Sequence, residues 1–247
     1  FPVSDGLTRL RYNQWTVEPT TTFSWGDGRW SNKIGLFFSR KETFSDNSYR
    51  VLDFPFDFTN VDQGTQDLIR FLYPLQSNVS QRPTFKSAAI YNQLSVELSD
   101  ETTLKAGVRH TRDRASVEVS NHTAFSGSPG GLGPYGDYTF GPCDASTAAY
   151  ENFDPVACTG TRSLKSNSTN FSLSIDNKFA PGKMIFATLS SGYLVGGFNN
   201  PVPVRENQIF GPEKVTSFEA GLKADWELGG RPLRTNVAIF YGDYRGQ

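Results

Sequence analysis

The sequence predicts an all-β chain, a segment of an antiparallel up-and-down transmembrane β-barrel of about eight long strands with short periplasmic turns and long extracellular loops. Three observations carry the prediction. Apolar residues recur at every second position: Phe218, Ala220, Leu222, Ala224 and Trp226 alternate with Ser217, Glu219, Gly221, Lys223 and Asp225. Period 2 sends alternate side chains to opposite faces of a sheet. The alternating runs span about 10–16 residues, against roughly 5–6 in soluble sheets. Finally, the connections read short, long, short, long, short, medium, short, an asymmetry that outer-membrane barrels show as a rule.

In chain order, the first strand covers Tyr12 to Trp25, with Trp15, Val17, Thr21 and Phe23 on one face and Gln14, Thr16, Glu18 and Thr22 on the other. Pro19 interrupts it, because proline cannot donate to the ladder. Gly26-Asp27-Gly28 turns the chain into the second strand, Ser31 to Phe44, where Ile34, Leu36 and Phe38 oppose Lys33, Gly35 and Phe37. A long polar segment follows. Thr65 to Leu72 within it reads as one or two helical turns, stopped before Pro74. The third strand, Phe85 to Leu98, and the fourth, Thr103 to about Ser120, flank the turn Ser99-Asp100-Glu101-Thr102. A second long polar segment contains both cysteines. The fifth strand is Asn170 to Phe179, the sixth Met184 to about Phe198, the seventh Val215 to Leu228 and the eighth Leu233 to Tyr244. Tight turns at Pro181-Gly182-Lys183 and Gly229-Gly230-Arg231-Pro232 close two of these hairpins.

The faces distinguish a membrane wall from a soluble sandwich. Lys33, Glu97, Lys105, Arg109, Glu219, Lys223 and Asp225 fall on the side opposite the apolar stripe. Charges there would be costly in a dry core but suit a wet or protein-filled lumen. Trp25, Trp30, Phe179 and Trp226 sit beside the short turns, where an interfacial aromatic girdle would lie. No stretch approaches the roughly 18 apolar residues of a membrane helix, which leaves strand-type crossing open.

Composition excludes several functions. The net charge of −1 offers nothing to nucleic acid. The two histidines, His110 and His122, have no metal-ligand spacing and read as surface residues, one ending a strand and one in a loop. Gly127 to Gly133 is glycine-rich but lacks the Lys and Ser/Thr of a phosphate loop. No catalytic, metal or cofactor constellation is expected. The four Asn-x-Ser/Thr sequons, at Asn78, Asn121, Asn167 and Asn170, read as chance products of Ser/Thr-rich sequence. Cys143 and Cys158, paired in one polar segment, predict a disulfide over two free thiols, and with it an oxidising compartment. The second long segment also carries Tyr135, Tyr138 and Phe140, loop aromatics that are candidate ligand contacts on a rigid scaffold. The start at Phe1, without Met, and the end inside a predicted strand lead to the expectation of an internal piece of a longer protein.

Three pieces of sequence resemble the barrel of TonB-dependent outer-membrane receptors. Ser191 to Asn199 carries Gly196, Gly197, Phe198 and Asn199; Pro212, Glu213, Glu219, Gly221 and Lys223 follow, then Phe240, Tyr241 and Tyr244. Upstream, Tyr91, Gln93, Leu104, Gly107 and Arg109 fit the family's preceding hairpin. The family has a plug domain, a TonB-contact box and about 22 strands. The resemblance therefore implies that residues 1–247 are a partial barrel domain without its plug or remaining strands. It implies a Gram-negative outer-membrane location and no enzyme. It also implies active import of a scarce ligand, foremost a ferric siderophore, with haem, cobalamin and glycans as other cargo classes. Partners would be the lipid bilayer, the plug and TonB, and lumen-facing Arg109, Glu219 and Lys223 would meet the plug or the ligand. Two other classes remain open at this stage: a passive porin or structural barrel, and a secreted β-sandwich binding domain.

Overall fold

The computed structural model describes residues 4–51, 61–72, 75–125, 142–199 and 205–246. The strands are β1 (Ser4–Val17), β2 (Thr20–Trp25), β3 (Trp30–Val51), β4 (Leu75–Glu97), β5 (Thr102–Phe125), β6 (Glu151–Asp154), β7 (Thr159–Ala180), β8 (Lys183–Leu194), β9 (Gly197–Phe198), β10 (Ile209–Phe210), β11 (Glu213–Leu228) and β12 (Arg231–Arg245). Two helices, α1 (Gln63–Leu72) and α2 (Ala145–Ala148), lie in the connections. One antiparallel sheet runs in the order β1-β3-β4-β5-β7-β8-β11-β12, a meander in which neighbours in that order pair, with β2 also on β3 and β6 on β7. Pro19 splits the first expected strand in two, and both parts pair with β3.

The tight turns follow from local backbone chemistry. Leu228 pairs with Arg231, and the two residues between them, Gly229 and Gly230, have φ of 59° and 75°. Two consecutive left-handed residues make the hairpin turn whose twist matches the flanking strands, and glycine adopts it without strain.

The long segments are shorter than the sequence reading had them. β3 continues to Val51, β4 begins at Leu75, β5 reaches Phe125 and β7 begins at Thr159. The reason is physical. Apolar alternation marks a strand only where one face is apolar. Beyond that zone the ladders continue on Ser, Asn, Gln and Arg, as Ser48 Oγ donates to Asn78 Oδ1 at 2.6 Å and an Arg50 nitrogen to Gln76 Oε1 at 2.7 Å. Likewise His110 lies within β5, not at a strand end, and His122 is strand residue and 3% exposed, not a loop surface group. The sixth strand stops at Leu194, and Gly197–Phe198 form a separate two-stranded ribbon with Ile209–Phe210. The short helix starts at Gln63, two residues earlier than expected. Asp62 caps it, accepting the Thr65 backbone N–H at 3.0 Å.

The two faces of the sheet meet different surroundings. Leu36, Ile90, Leu173, Leu189, Phe218 and Ile239 share one face and are exposed, Ile239 by 69%. Such a contiguous apolar surface belongs in lipid. At its short-turn edge Trp25 stacks on Trp30 with centroids 5.9 Å apart, and the Lys183 ammonium sits 4.1 Å from the Trp226 ring. Polar pairs within the band satisfy themselves: Asn32 and Asn92 exchange amide hydrogen bonds of 3.1 and 2.9 Å, and His110 Nδ1 lies 2.9 Å from Thr169 Oγ1.

Two glycines of the opposite face lie directly across from aromatic rings. Gly35 pairs with Tyr91, and a Cβ on it would meet the Tyr91 ring at 2.2 Å. Gly221 pairs with Phe186, where a Cβ would lie 2.7 Å from the ring. Each ring lies flat over the strand in space that only glycine leaves.

Two outcomes follow. Gly35→Val should displace the Tyr91 ring and lower the unfolding free energy by about 1–3 kcal/mol, as overpacking generally does; a unchanged urea midpoint in detergent micelles would contradict this. Ala220→Arg, in the apolar band, should destabilise by about 2–4 kcal/mol, whereas Ser217→Arg on the other face should be near neutral. Equal effects of the two would refute the assignment of faces.

Candidate functional site

Cross-strand register sorts the polar face into rows. One runs through Gly35, Tyr91, Arg109 and Asn170. The next contains Lys33, Gln93, Gly107, Ser172, Ser190 and Ser217. A third contains Ser31, Ser95, Lys105, Ser174, Thr188 and Glu219. Serine, threonine and short amides dominate these rows, so the surface is wet and nearly flat, with a few long side chains standing on it.

Arg109 is the best-positioned of these. Its guanidinium lies 4.6 Å from the Phe37 ring and 5.8 Å from the Tyr91 ring, and its Nε donates to Thr111 Oγ1 at 3.2 Å. The Tyr91 hydroxyl in turn donates to Glu18 Oε1 at 2.6 Å. A hollow of about 460 Å³ opens beside this group, lined by Glu18, Lys33, Tyr91, Gln93, Arg109 and Asn170 among others. It presents a carboxylate, two cations and several amides, enough to hold a polar partner in one orientation.

Glu219 and Lys223 share the face of Arg109 but do not converge with it. Glu219 stands between Thr188 and Phe240. It occupies the Lys105 row three strands away, roughly 14 Å at the usual strand spacing. The Lys223 ammonium lies 5.2 Å from the Phe186 ring. Lys105 is paired with Asp176 at 2.6 Å, and Asp225 with Arg234 at 2.5 Å. The three residues therefore form separate points on one wall, not a single binding cluster.

At the long-loop end a second construction appears. A disulfide joins Cys143 to Cys158, with Cα atoms 5.0 Å apart, and encloses α2 and β6. Cys143 also bridges to His122, which fastens the ring to the end of β5. Glu151 of β6 accepts from Arg162 at 2.7 Å and from Arg205 at 2.8 Å, so one carboxylate links the ring, β7 and the turn before β10. Val117, Val119 and Tyr150 form a small buried cluster with Phe198 against it. Burial pushes the Tyr150 hydroxyl above its ordinary pKa. Tyr135, Tyr138 and Phe140 lie outside the described residues.

Sequence reasoning missed the Glu151 junction and the Glu18–Tyr91 pairing. Glu151 and Arg205 are single charges in irregular segments, where no periodicity marks a partner. The spacing of Gly35 and Tyr91 on their strands was readable; that they face each other depends on register, which only the assembled sheet fixes.

A family model described as TonB dependent receptor-like, beta-barrel, matches residues 3–247. Among solved structures, the ferric yersiniabactin uptake receptor FyuA from Yersinia pestis aligns with a TM-score of 0.62 at 18% identity, covering 97% of this chain and 29% of that one. The siderophore receptor PiuA from Acinetobacter baumannii aligns with a TM-score of 0.54 at 15% identity, covering 95% of this chain and 32% of that one. At such identities the likeness speaks to fold alone. The chain spans about a third of the length of either receptor. The meander of long strands, its exposed apolar face, its polar face and the match across residues 3–247 together make this chain a member of the TonB-dependent receptor β-barrel family of the Gram-negative outer membrane.

Proposed function

We propose that the chain is part of the barrel wall of an outer-membrane receptor that binds a scarce ligand outside the cell, foremost a ferric siderophore, and imports it with energy supplied through TonB. The family is one of transporters and not of enzymes. The observation that carries the reading is the continuous polar face, with the Arg109 hollow at its centre and a braced loop assembly above it. A passive porin needs neither a side-specific docking surface nor stapled loops. FyuA, a ferric yersiniabactin uptake receptor, and PiuA, a siderophore receptor, support the choice of cargo.

In this reading the roles divide by height. In the loops above, Tyr135, Tyr138 and Phe140 contact the ligand, and the Cys143–Cys158 bridge stiffens the segment that it encloses. The wall below, through Arg109, Glu219 and Lys223, contacts a plug domain that fills the lumen of the complete barrel. A plug held by dispersed polar contacts can be moved without unfolding the wall, because each contact is individually weak and water can replace it. The disulfide closes a ring with a sequence separation of 15, worth about 3 kcal/mol in the chain-entropy model.

The deciding experiment measures binding and uptake by the full receptor with ferric siderophores, haem, cobalamin and oligosaccharides. Saturable, TonB-dependent uptake of one class is expected; equal passive flux of small solutes without TonB would show a porin instead. Replacing Tyr135, Tyr138 and Phe140 together by Ala should weaken binding of that ligand by tenfold or more, on the order of one interface hot spot, with the barrel still assembled. Cys143→Ser with Cys158→Ser should weaken ligand binding and lower the unfolding free energy by up to about 3 kcal/mol, read by titration and urea denaturation on the same sample.

A further inference from the structure

The outward face carries a charge pattern that the transport reading does not use. Arg40 of β3 pairs in register with Lys86 of β4, Lys86 with Arg114 of β5, and Arg114 with Lys165 of β7. Four cations thus stand side by side across four strands. Their parity is that of Leu36, Ile90 and Phe171, so they point toward the lipid side, and all four are exposed. The next row toward the short turns, Phe38, Ala88, Arg112 and Asn167, adds a fifth cation. The row therefore sits at the upper rim of the apolar band, on the side of the long loops.

Like charges directly opposite one another in a ladder destabilise a sheet. Here the repulsion is repeated three times along one row and is barely offset. Glu42 pairs with Arg40 at 3.2 Å, but among the described residues Lys86, Arg112, Arg114 and Lys165 form no ion pair. These four line an open hollow of about 480 Å³. Asp113 lines it too, although its parity assigns it to the other face. An external anion at this rim would relieve the repulsion.

We propose that this row is a binding site for the headgroup of an outer-leaflet lipid bearing more than one phosphate, with its acyl chains lying against Leu36, Phe38, Ile90 and Phe171. Position selects a lipid: the cations lie directly above the apolar band, at headgroup height, on the outward face. Extent selects several phosphates. Four strands span roughly 14 Å, more than one phosphate can cover. Arginine at Arg112 and Arg114 supplies the forked donors that hold phosphate oxygens in pairs, and the lysines add point charge.

The test uses the full receptor, purified in non-ionic detergent and delipidated, titrated with diphosphorylated lipid A, the same lipid without phosphates, and inorganic pyrophosphate. Diphosphorylated lipid should bind at least about tenfold more tightly than either of the others, with an affinity that falls as salt rises. Lys86→Gln, Arg112→Gln, Arg114→Gln and Lys165→Gln combined should remove that preference, and Lys165→Gln alone should weaken binding by a smaller factor. Assembly of each variant is read from its heat-modifiable migration; should the combined variant fail to assemble, the single variant decides. Equal binding of the phosphate-free lipid, equal binding of pyrophosphate, or unchanged affinity in the assembled variants would each overturn the proposal.

Discussion

Hydrocarbon offers no hydrogen bonds, and the rest of this structure depends on that constraint. Each backbone N–H and C=O within the bilayer must find its partner in a neighbouring strand, since every unmet group costs several kcal/mol. Hence the strands are long, antiparallel and connected to their nearest neighbours, with connections kept outside the band. The same constraint fixes register. A slip by one residue would turn Phe218 and Leu222 toward water and Glu219 and Lys223 toward lipid. The Gly35–Tyr91 and Gly221–Phe186 fits act in the same direction, because each ring is accommodated only opposite its glycine.

Above the band, water returns and a different set of interactions takes over. There the strands carry little apolar surface, and the dry cluster is as small as Val117, Val119 and Tyr150. Covalent and electrostatic bracing appears where apolar burial is scarce and most buried side chains are polar: the Cys143–Cys158 bridge, the Glu151 junction with Arg162 and Arg205, and the Ser48–Asn78 hydrogen bond. Small extracellular structures with thin cores are commonly stapled in this way. A recognition surface gains from it, since ordering that is complete before the ligand arrives is not charged against binding.

Legibility in the sequence tracked the same boundary. Within the bilayer, the alternation around Phe218–Trp226 and Ile34–Phe38 marked strands, faces and turns, because lipid on one side and water on the other write period 2 into the residues. Beyond it, β3 past Phe44 and β4 before Phe85 are equally regular as backbone but have polar residues on both faces, so composition gave no sign of a strand. His122 was misread for that reason. The wall residues Arg109, Glu219 and Lys223 could be assigned to a face by parity, but their separation across strands could not, because distance across a sheet depends on pairing and not on spacing along the chain.

Polar side chains on the outward face obey a rule of depth. Asn32 and Asn92 lie within the apolar band and are bonded to each other, which leaves little polarity for lipid to meet. Arg40, Lys86, Arg114 and Lys165 lie just above it and are set in mutual opposition instead. If the sheet alone governed that row, alternating signs would serve it better, as Lys105 with Asp176 and Asp225 with Arg234 do on the other face. The contrast between self-satisfied polarity at depth and a cationic row at the rim, in which Arg40 alone has an ion-pair partner among the described residues, argues that the counter-charge of the row belongs to the membrane and not to the protein.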